Sequence, residues 1–137
     1  MKVVFLGTGD IGLPSLSAIK DSEEHELLAV YTQPDRPFGR KGDLKVSEIK
    51  LFAESCSIPV HQPEKIQESE AVESLVNYAP DIIVVIAYGQ ILPKSVLDIP
   101  KIACINLHAS LLPHHRGAAP IQSSILAGDD RTGITVM

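Results

Sequence analysis

Ile102-Ala-Cys-Ile-Asn-Leu-His108-Ala-Ser-Leu-Leu-Pro113-His-His-Arg-Gly117-Ala-Ala-Pro-Ile121 passes from an apolar run into a loop punctuated by Pro113 and Gly117 and out into a second apolar stretch. The first part, Ile102 to Leu107, predicts a β-strand because it is apolar and partly β-branched. Side chains alternate faces along a strand, so Cys104, Asn106 and His108 share one face and Ile105 and Leu107 take the other. A buried strand gains nothing from an unpartnered Asn or His, since an unpaired buried polar group costs roughly 1–3 kcal/mol. Two polar residues at spacing two, where a strand runs into a loop, lie where α/β sheets carry their chemistry. The pair alone leaves two readings open. It is a catalytic pair, or it is a structural His beside a turn-forming Asn.

Outward from this stretch, strands and helices alternate. Asp81-Ile-Ile-Val-Val-Ile86 is apolar without alternation, as a central parallel strand covered on both faces requires. Strands are also expected at Lys2–Leu6, Glu26–Tyr31 and Ile58–Val60, and a further one opens at Thr132. Helices are expected from about Pro14 to Lys20 and from Ser47, a good N-cap, to about Cys56. Ser69 to Tyr78 follows, with Val72, Leu75 and Val76 on one face. Pro93–Leu97 and about Ala119–Ala127 complete the set, the last with Ala118, Ile121 and Ile125 inward and Gly128 as its stop. The alternation predicts an α/β, Rossmann-like, open and mostly parallel sheet with helices on both faces.

Gly7-Thr-Gly9-Asp-Ile-Gly12 formally matches the G-x-G-x-x-G fingerprint between a strand and a helix. A dinucleotide site also wants an acid at the end of the second strand, and that end here reads Thr32-Gln33-Pro34. The glycines therefore read as a tight strand-to-helix turn, with a dinucleotide-binding module kept as an alternative from a different class.

The chain has 137 residues, 45% of them hydrophobic and 21% charged, which suits one globular domain. No segment approaches the roughly 20 apolar residues of a membrane span, and nothing resembles a signal peptide, so the cytoplasm is the expected compartment. Cys56 and Cys104 lack metal or redox spacing and read as free thiols. His114 and His115 are adjacent and point apart, so no metal is expected. The net charge is −5, but Asp35–Lys50 carries five basic residues against three acidic ones, a local +2 on a body of −7. The overlapping stretch Thr32 to Lys45 reads throughout as a loop, with two prolines and two glycines before Asp43. It is a mobile insertion or a functional one.

Asn106-Leu-His108-Ala-Ser110-Leu-Leu-Pro113, followed by Arg116-Gly117, resembles the signature of the folate-dependent formyltransferases. The resemblance extends from the first strand to Gly133. It implies transfer of a formyl group from 10-formyltetrahydrofolate to an amine, with Asn106 and His108 catalytic. It implies that Ser110, Leu111, Leu112 and Pro113 line the folate site, and that Gln90, Ile91 and Leu92 lie in the loop of the pterin pocket. Read singly, those last three are as compatible with ordinary core and turn. Thr32-Gln-Pro-Asp-Arg-Pro-Phe-Gly-Arg40 and Arg116-Gly-Ala-Ala-Pro120 are most similar to the branch of the family that acts on charged initiator methionyl-tRNA in translation initiation. On that likeness Arg36, Arg40, Lys41, Lys45 and Arg116 contact the tRNA, arginine suiting phosphate through its planar fork of donors.

That branch usually carries Gly-Thr-Pro-Asp-Phe where this chain has Gly7-Thr-Gly-Asp-Ile11. The likeness further implies a monomer. It implies a catalytic aspartate after the strand that opens at Thr132, past Met137. Residues 1–137 would then be an amino-terminal formyltransferase domain, incomplete at its carboxyl end, without the carboxyl-terminal tRNA-binding domain and inactive by itself. Glycinamide ribonucleotide or a sugar-nucleotide amine is the alternative acceptor.

Overall fold

A computed structural model describes residues 1–38 and 43–137. Its elements are β1 (Lys2–Gly7), α1 (Leu13–Lys20), β2 (Glu26–Tyr31), β3 (Arg36–Phe38), β4 (Asp43–Lys45), α2 (Glu48–Ser55), β5 (Val60–His61), α3 (Ser69–Tyr78), β6 (Ile82–Ile86), α4 (Lys94–Leu97), β7 (Ala103–His108), α5 (Pro120–Ala127) and β8 (Thr135–Val136). Six strands form one sheet in the order β5-β2-β1-β6-β7-β8. The pairings from β5 to β7 are parallel and β8 runs antiparallel to β7. This is the mostly parallel α/β sheet that the alternation of elements predicts.

Alternation along the central strands builds two cores. Val4, Leu6, Tyr31, Ile83 and Val85 face α3 and α4, where Leu75 and Val96 meet them. Val3, Phe5, Val30, Val84 and Ile86 face α1 and α2, where Leu16, Ile49 and Ala53 meet them. Each fully buried Leu, Ile or Phe stabilises the fold by roughly 1.5–3 kcal/mol. The start of β6 is pinned to β1 by exchange: Lys2 N–H donates to Asp81 Oδ2 at 2.8 Å, and Asp81 N–H donates to Lys2 O at 2.9 Å.

Several expectations need correction. Thr32–Lys45 is not irregular throughout, because β3 and β4 pair as a small antiparallel hairpin. The strand expected at Ile58–Val60 is displaced to Val60–His61: Ile58 N–H is taken by Ala53 O at 2.9 Å, closing α2. On α3 the inward positions are Ala71 and Leu75, and Val76 is 53% exposed. On α5 the buried residue is Ser124, whose hydroxyl donates to Ile121 O at 2.9 Å. Ala118, Ile121 and Ile125 are exposed, Ile125 by 73%. Apolar spacing identifies that helix but not the side it buries.

Candidate functional site

The sheet reverses its order of addition at β1. The chain builds β2 and β5 to one side, then crosses to lay β6 and β7 on the other. Loops leaving the carboxyl ends on either side of such a point part to form a crevice. Here those ends are laced together by Thr8. Its hydroxyl donates to Tyr88 O at 3.0 Å and accepts from Gln33 N–H at 3.1 Å, while Gln33 Nε2 donates to the same Tyr88 carbonyl at 3.1 Å. Thr32, fully buried, donates to Thr8 at 3.3 Å and shares a 3.0 Å hydrogen bond with Ser47 Oγ. Ser47 caps α2 by accepting Lys50 N–H at 3.2 Å. A threonine thus occupies the place where a dinucleotide domain needs its acid. A Cβ on Gly7 would lie 2.5 Å from Phe5 Cε1 and 2.9 Å from Ile86 O, and one on Gly9 would lie 3.2 Å from Ala87 Cβ. These glycines serve close packing of the turn, as the sequence reading expects.

Asn106 and His108 lie on β7 with one residue between them, and both are half-buried. The Asn106 backbone is occupied by Met137, with N–H to O distances of 2.8 and 3.0 Å in the two directions. Its side-chain amide has no partner among the described residues. His108 Nε2 lies 3.0 Å from the carbonyl of His115. A carbonyl only accepts, so Nε2 carries the hydrogen and Nδ1 is the nitrogen with a free lone pair in the neutral ring.

The loop that follows is internally tied. Ser110 is fully buried and its hydroxyl donates to His114 O at 2.7 Å. Thr135 Oγ1 donates to Ser110 O at 2.7 Å and accepts Leu112 N–H at 3.1 Å, so β8 holds the turn from behind. Leu111 is 48% exposed, Leu112 is half-buried, and Pro113 is exposed after a cis peptide bond. From the neighbouring strand β6, Gln90 reaches back to the β5–α3 connection. Its Oε1 accepts Ile66 N–H at 2.7 Å and its Nε2 donates to Glu64 O at 3.2 Å. Ile91 is 94% exposed, whereas Leu92 packs on the core. The two candidate folate loops therefore leave adjacent carboxyl ends of the sheet.

Arg36 and Lys45 are cross-strand partners in the β3–β4 hairpin. They line a cavity of about 620 Å³ with Thr8, Gly9, Gln33 and Ser47. Arg36 also pairs with Glu64 at 3.1 Å, both side chains being exposed. Arg116 is exposed on the loop after β7. Arg40 and Lys41 lie outside the described residues. The sequence reading missed the anchor of this hairpin, which is built from Asp35, Lys50 and Gln62. Lys50 Nζ donates to Asp35 Oδ2 at 2.5 Å, and Gln62 Nε2 donates to Asp35 Oδ1 at 2.9 Å. Lys50, and Gln62 after it, hold the Asp35 carboxyl below the usual carboxylate range. The three residues are distant in sequence, so no local pattern marks them. Among the described residues no group of three or more His, Cys, Asp or Glu side chains could hold a metal ion, and no helix is long and apolar enough to cross a membrane.

An open, mostly parallel sheet with a polar Asn–His pair at the carboxyl end of β7 is the frame of an α/β group-transfer domain, and the chain belongs to the formyl transferase family, whose model matches residues 1–137. Its relatives include the methionyl-tRNA formyltransferases of Legionella pneumophila (strain Paris), 55% identical over 137 residues, and of Clostridioides difficile (strain 630), 51% identical over the same span. The matches take in all of this chain and 43% and 44% of those proteins, so it spans less than half their length. Among solved structures, a phosphoribosylglycinamide formyltransferase from Bacillus halodurans superposes with a TM-score of 0.78 at 20% identity, over 99% of this chain and 70% of that one. A formyltetrahydrofolate deformylase from Pseudomonas syringae pv. tomato gives 0.74 at 21% identity, over 98% and 44%. At such identities these likenesses establish the shared fold.

Proposed function

We propose that this chain supplies the catalytic domain of an enzyme that moves a formyl group from 10-formyltetrahydrofolate to the amino group of methionyl-initiator-tRNA, in the cytoplasm, for translation initiation. The observation that carries the chemistry is the pairing of Asn106 and His108 on one face at the carboxyl end of β7, the Asn amide having no partner among the described residues. The acceptor follows from the relatives at 51–55% identity, which are named for it.

In this reaction the acceptor amine attacks the formyl carbon. A new C–N bond forms, the carbonyl oxygen becomes an oxyanion, and collapse breaks the bond from carbon to the donor nitrogen. One proton passes from the attacking amine to the departing nitrogen. The Asn106 NH₂ donates to the oxyanion, an interaction worth roughly 3–4 kcal/mol when removed from comparable sites. His108, with Nε2–H held by a carbonyl, presents Nδ1 to carry the proton. The exposed side of the Ser110–Pro113 loop and the Gln90–Leu92 loop receive the folate. Arg36, Arg40, Lys41, Lys45 and Arg116 meet the tRNA backbone, adding a salt-dependent component to affinity.

The test is formylation of charged initiator methionyl-tRNA by the full-length gene product, wild type and as Asn106→Ala, His108→Ala and Arg40→Ala. Loss of transfer in the first two, with a raised KM for tRNA in the third, supports the proposal. Formylation of glycinamide ribonucleotide in place of the tRNA would keep the chemistry and overturn the acceptor. Full activity of His108→Ala would overturn the mechanism.

A further inference from the structure

We infer that His115 and Asp129 form a positioning pair that fixes the ring of His108 and so the nitrogen it presents to the reaction; the inference rests on the catalytic reading of His108 above. The contact that defines the His108 tautomer is to the main-chain carbonyl of His115 at 3.0 Å. His115 reaches that pose only in a left-handed conformation, with φ of +52°. A residue with a side chain occupies this region at a cost of order 1 kcal/mol, so surrounding contacts must hold it there. Two contacts do so. Ser110 Oγ grips the preceding carbonyl, that of His114, at 2.7 Å. The His115 ring, largely shielded with 18% of its side chain exposed, bonds through Nε2 to Asp129 Oδ2.

Asp129 is itself placed by the end of α5. Gly128 caps the helix at φ of +70°, and Asp129 N–H donates to Ser124 O at 3.1 Å. A continuous path therefore runs from the carboxyl end of α5 through Asp129 and His115 to Nε2 of His108. Neither His115 nor Asp129 needs to touch substrate for this. Removing the carboxylate frees the His115 ring and its backbone, the carbonyl drifts from His108, and the His108 hydrogen is no longer confined to Nε2.

The experiment uses the full-length gene product with ¹⁵N-labelled histidine, as wild type, Asp129→Ala and Asp129→Asn. The ring-nitrogen shifts of His108, assigned by comparison with His108→Ala, report its tautomer without reference to turnover. In wild type the Nε2–H form is expected alone. In Asp129→Ala averaged shifts are expected, with kcat lowered about tenfold and KM for both substrates unchanged. Asp129→Asn keeps an acceptor oxygen for His115 and is expected to restore both the single tautomer and most of kcat. A single tautomer and wild-type kcat in Asp129→Ala would overturn the inference while leaving the proposed function intact. Full activity of His108→Ala would overturn the function, with the tautomer result still deciding the geometry.

Discussion

Lys50 Nζ lies 2.5 Å from Asp35 Oδ2, and this ion pair fastens the root of the β3–β4 hairpin to the first turn of α2. Only 17% and 20% of the two side chains are exposed, so solvent screens the pair less than a surface bridge. Lys50→Met removes the cation and leaves Asp35 on Gln62 alone. On the proposed function, the expected outcome is a severalfold rise in KM for tRNA with little change in kcat, because the hairpin carrying Arg36 and Lys45 loses its fixed orientation. Steady-state kinetics at two salt concentrations checks this. The sign of the pH dependence is set by the lowered folded pKa of Asp35. The stabilisation is present above the ordinary carboxylate range and is lost as pH falls through the folded value. The difference in stability between wild type and Lys50→Met should therefore hold near neutrality and shrink in strong acid.

Tyr88 offers an opposite kind of substitution. Its hydroxyl is buried without a hydrogen-bond partner among the described residues, and burial pushes its pKa upward. An orphaned buried hydroxyl costs of order 1 kcal/mol or more, so Tyr88→Phe is expected to stabilise the fold by about that amount. Its backbone carbonyl, which receives Thr8 and Gln33, is unchanged by the substitution. Urea denaturation of the two proteins decides the matter. A loss of stability would mean that an internal water satisfies the hydroxyl.

His61 sets a second pH window. Its ring stacks on Tyr31 with centroids 4.6 Å apart and shares a 2.8 Å hydrogen bond with Tyr78 Oη. Burial pushes its pKa below the ordinary histidine value. In the unfolded chain the ring protonates near pH 6.5, whereas the folded chain resists until a lower pH. Between those values the unfolded state holds more protons, so stability falls as the solution is acidified through that window. His61→Gln should be less stable than wild type at pH 7.5, with the gap narrowing by pH 5.5. A gap that stays constant across the window would show that the ring titrates alike in both states.

Much of this architecture was legible in the sequence, and the failures have physical causes. The Asp81–Ile86 run announced a central strand because burial on both faces leaves no room for alternation. Ser69–Tyr78 is legible to its bounds because α3 is periodic, follows the polar Gln67-Glu68 and stops ahead of Pro80. Its buried face was misread at Val76, since periodicity fixes a helix but not its rotation against the sheet. The Asn106–His108 pair stood out because polar residues at spacing two are unusual in an apolar strand. His115 and the Asp35–Lys50–Gln62 anchor gave no such signal. Their roles come from a backbone carbonyl in one case and from contacts 15 and 27 residues apart in the other, and neither leaves a mark in local pattern.

Thr135 is the last residue with a consequence to test. One hydroxyl satisfies two main-chain groups of the loop after β7, Ser110 O at 2.7 Å and Leu112 N–H at 3.1 Å. Thr135→Val keeps the shape and the β propensity of the side chain but can make neither bond. Each partly buried group left without its partner costs roughly 1 kcal/mol or more, so a loss of about 2 kcal/mol is expected from urea denaturation. The kinetic consequence should fall on the loop that receives folate in the proposed function, as a raised KM for 10-formyltetrahydrofolate with KM for tRNA unchanged. Thr135→Ser retains the hydroxyl and should restore both quantities. If Thr135→Ser proves as weak as Thr135→Val, the methyl group and its packing hold the loop, and the hydrogen bonds do not.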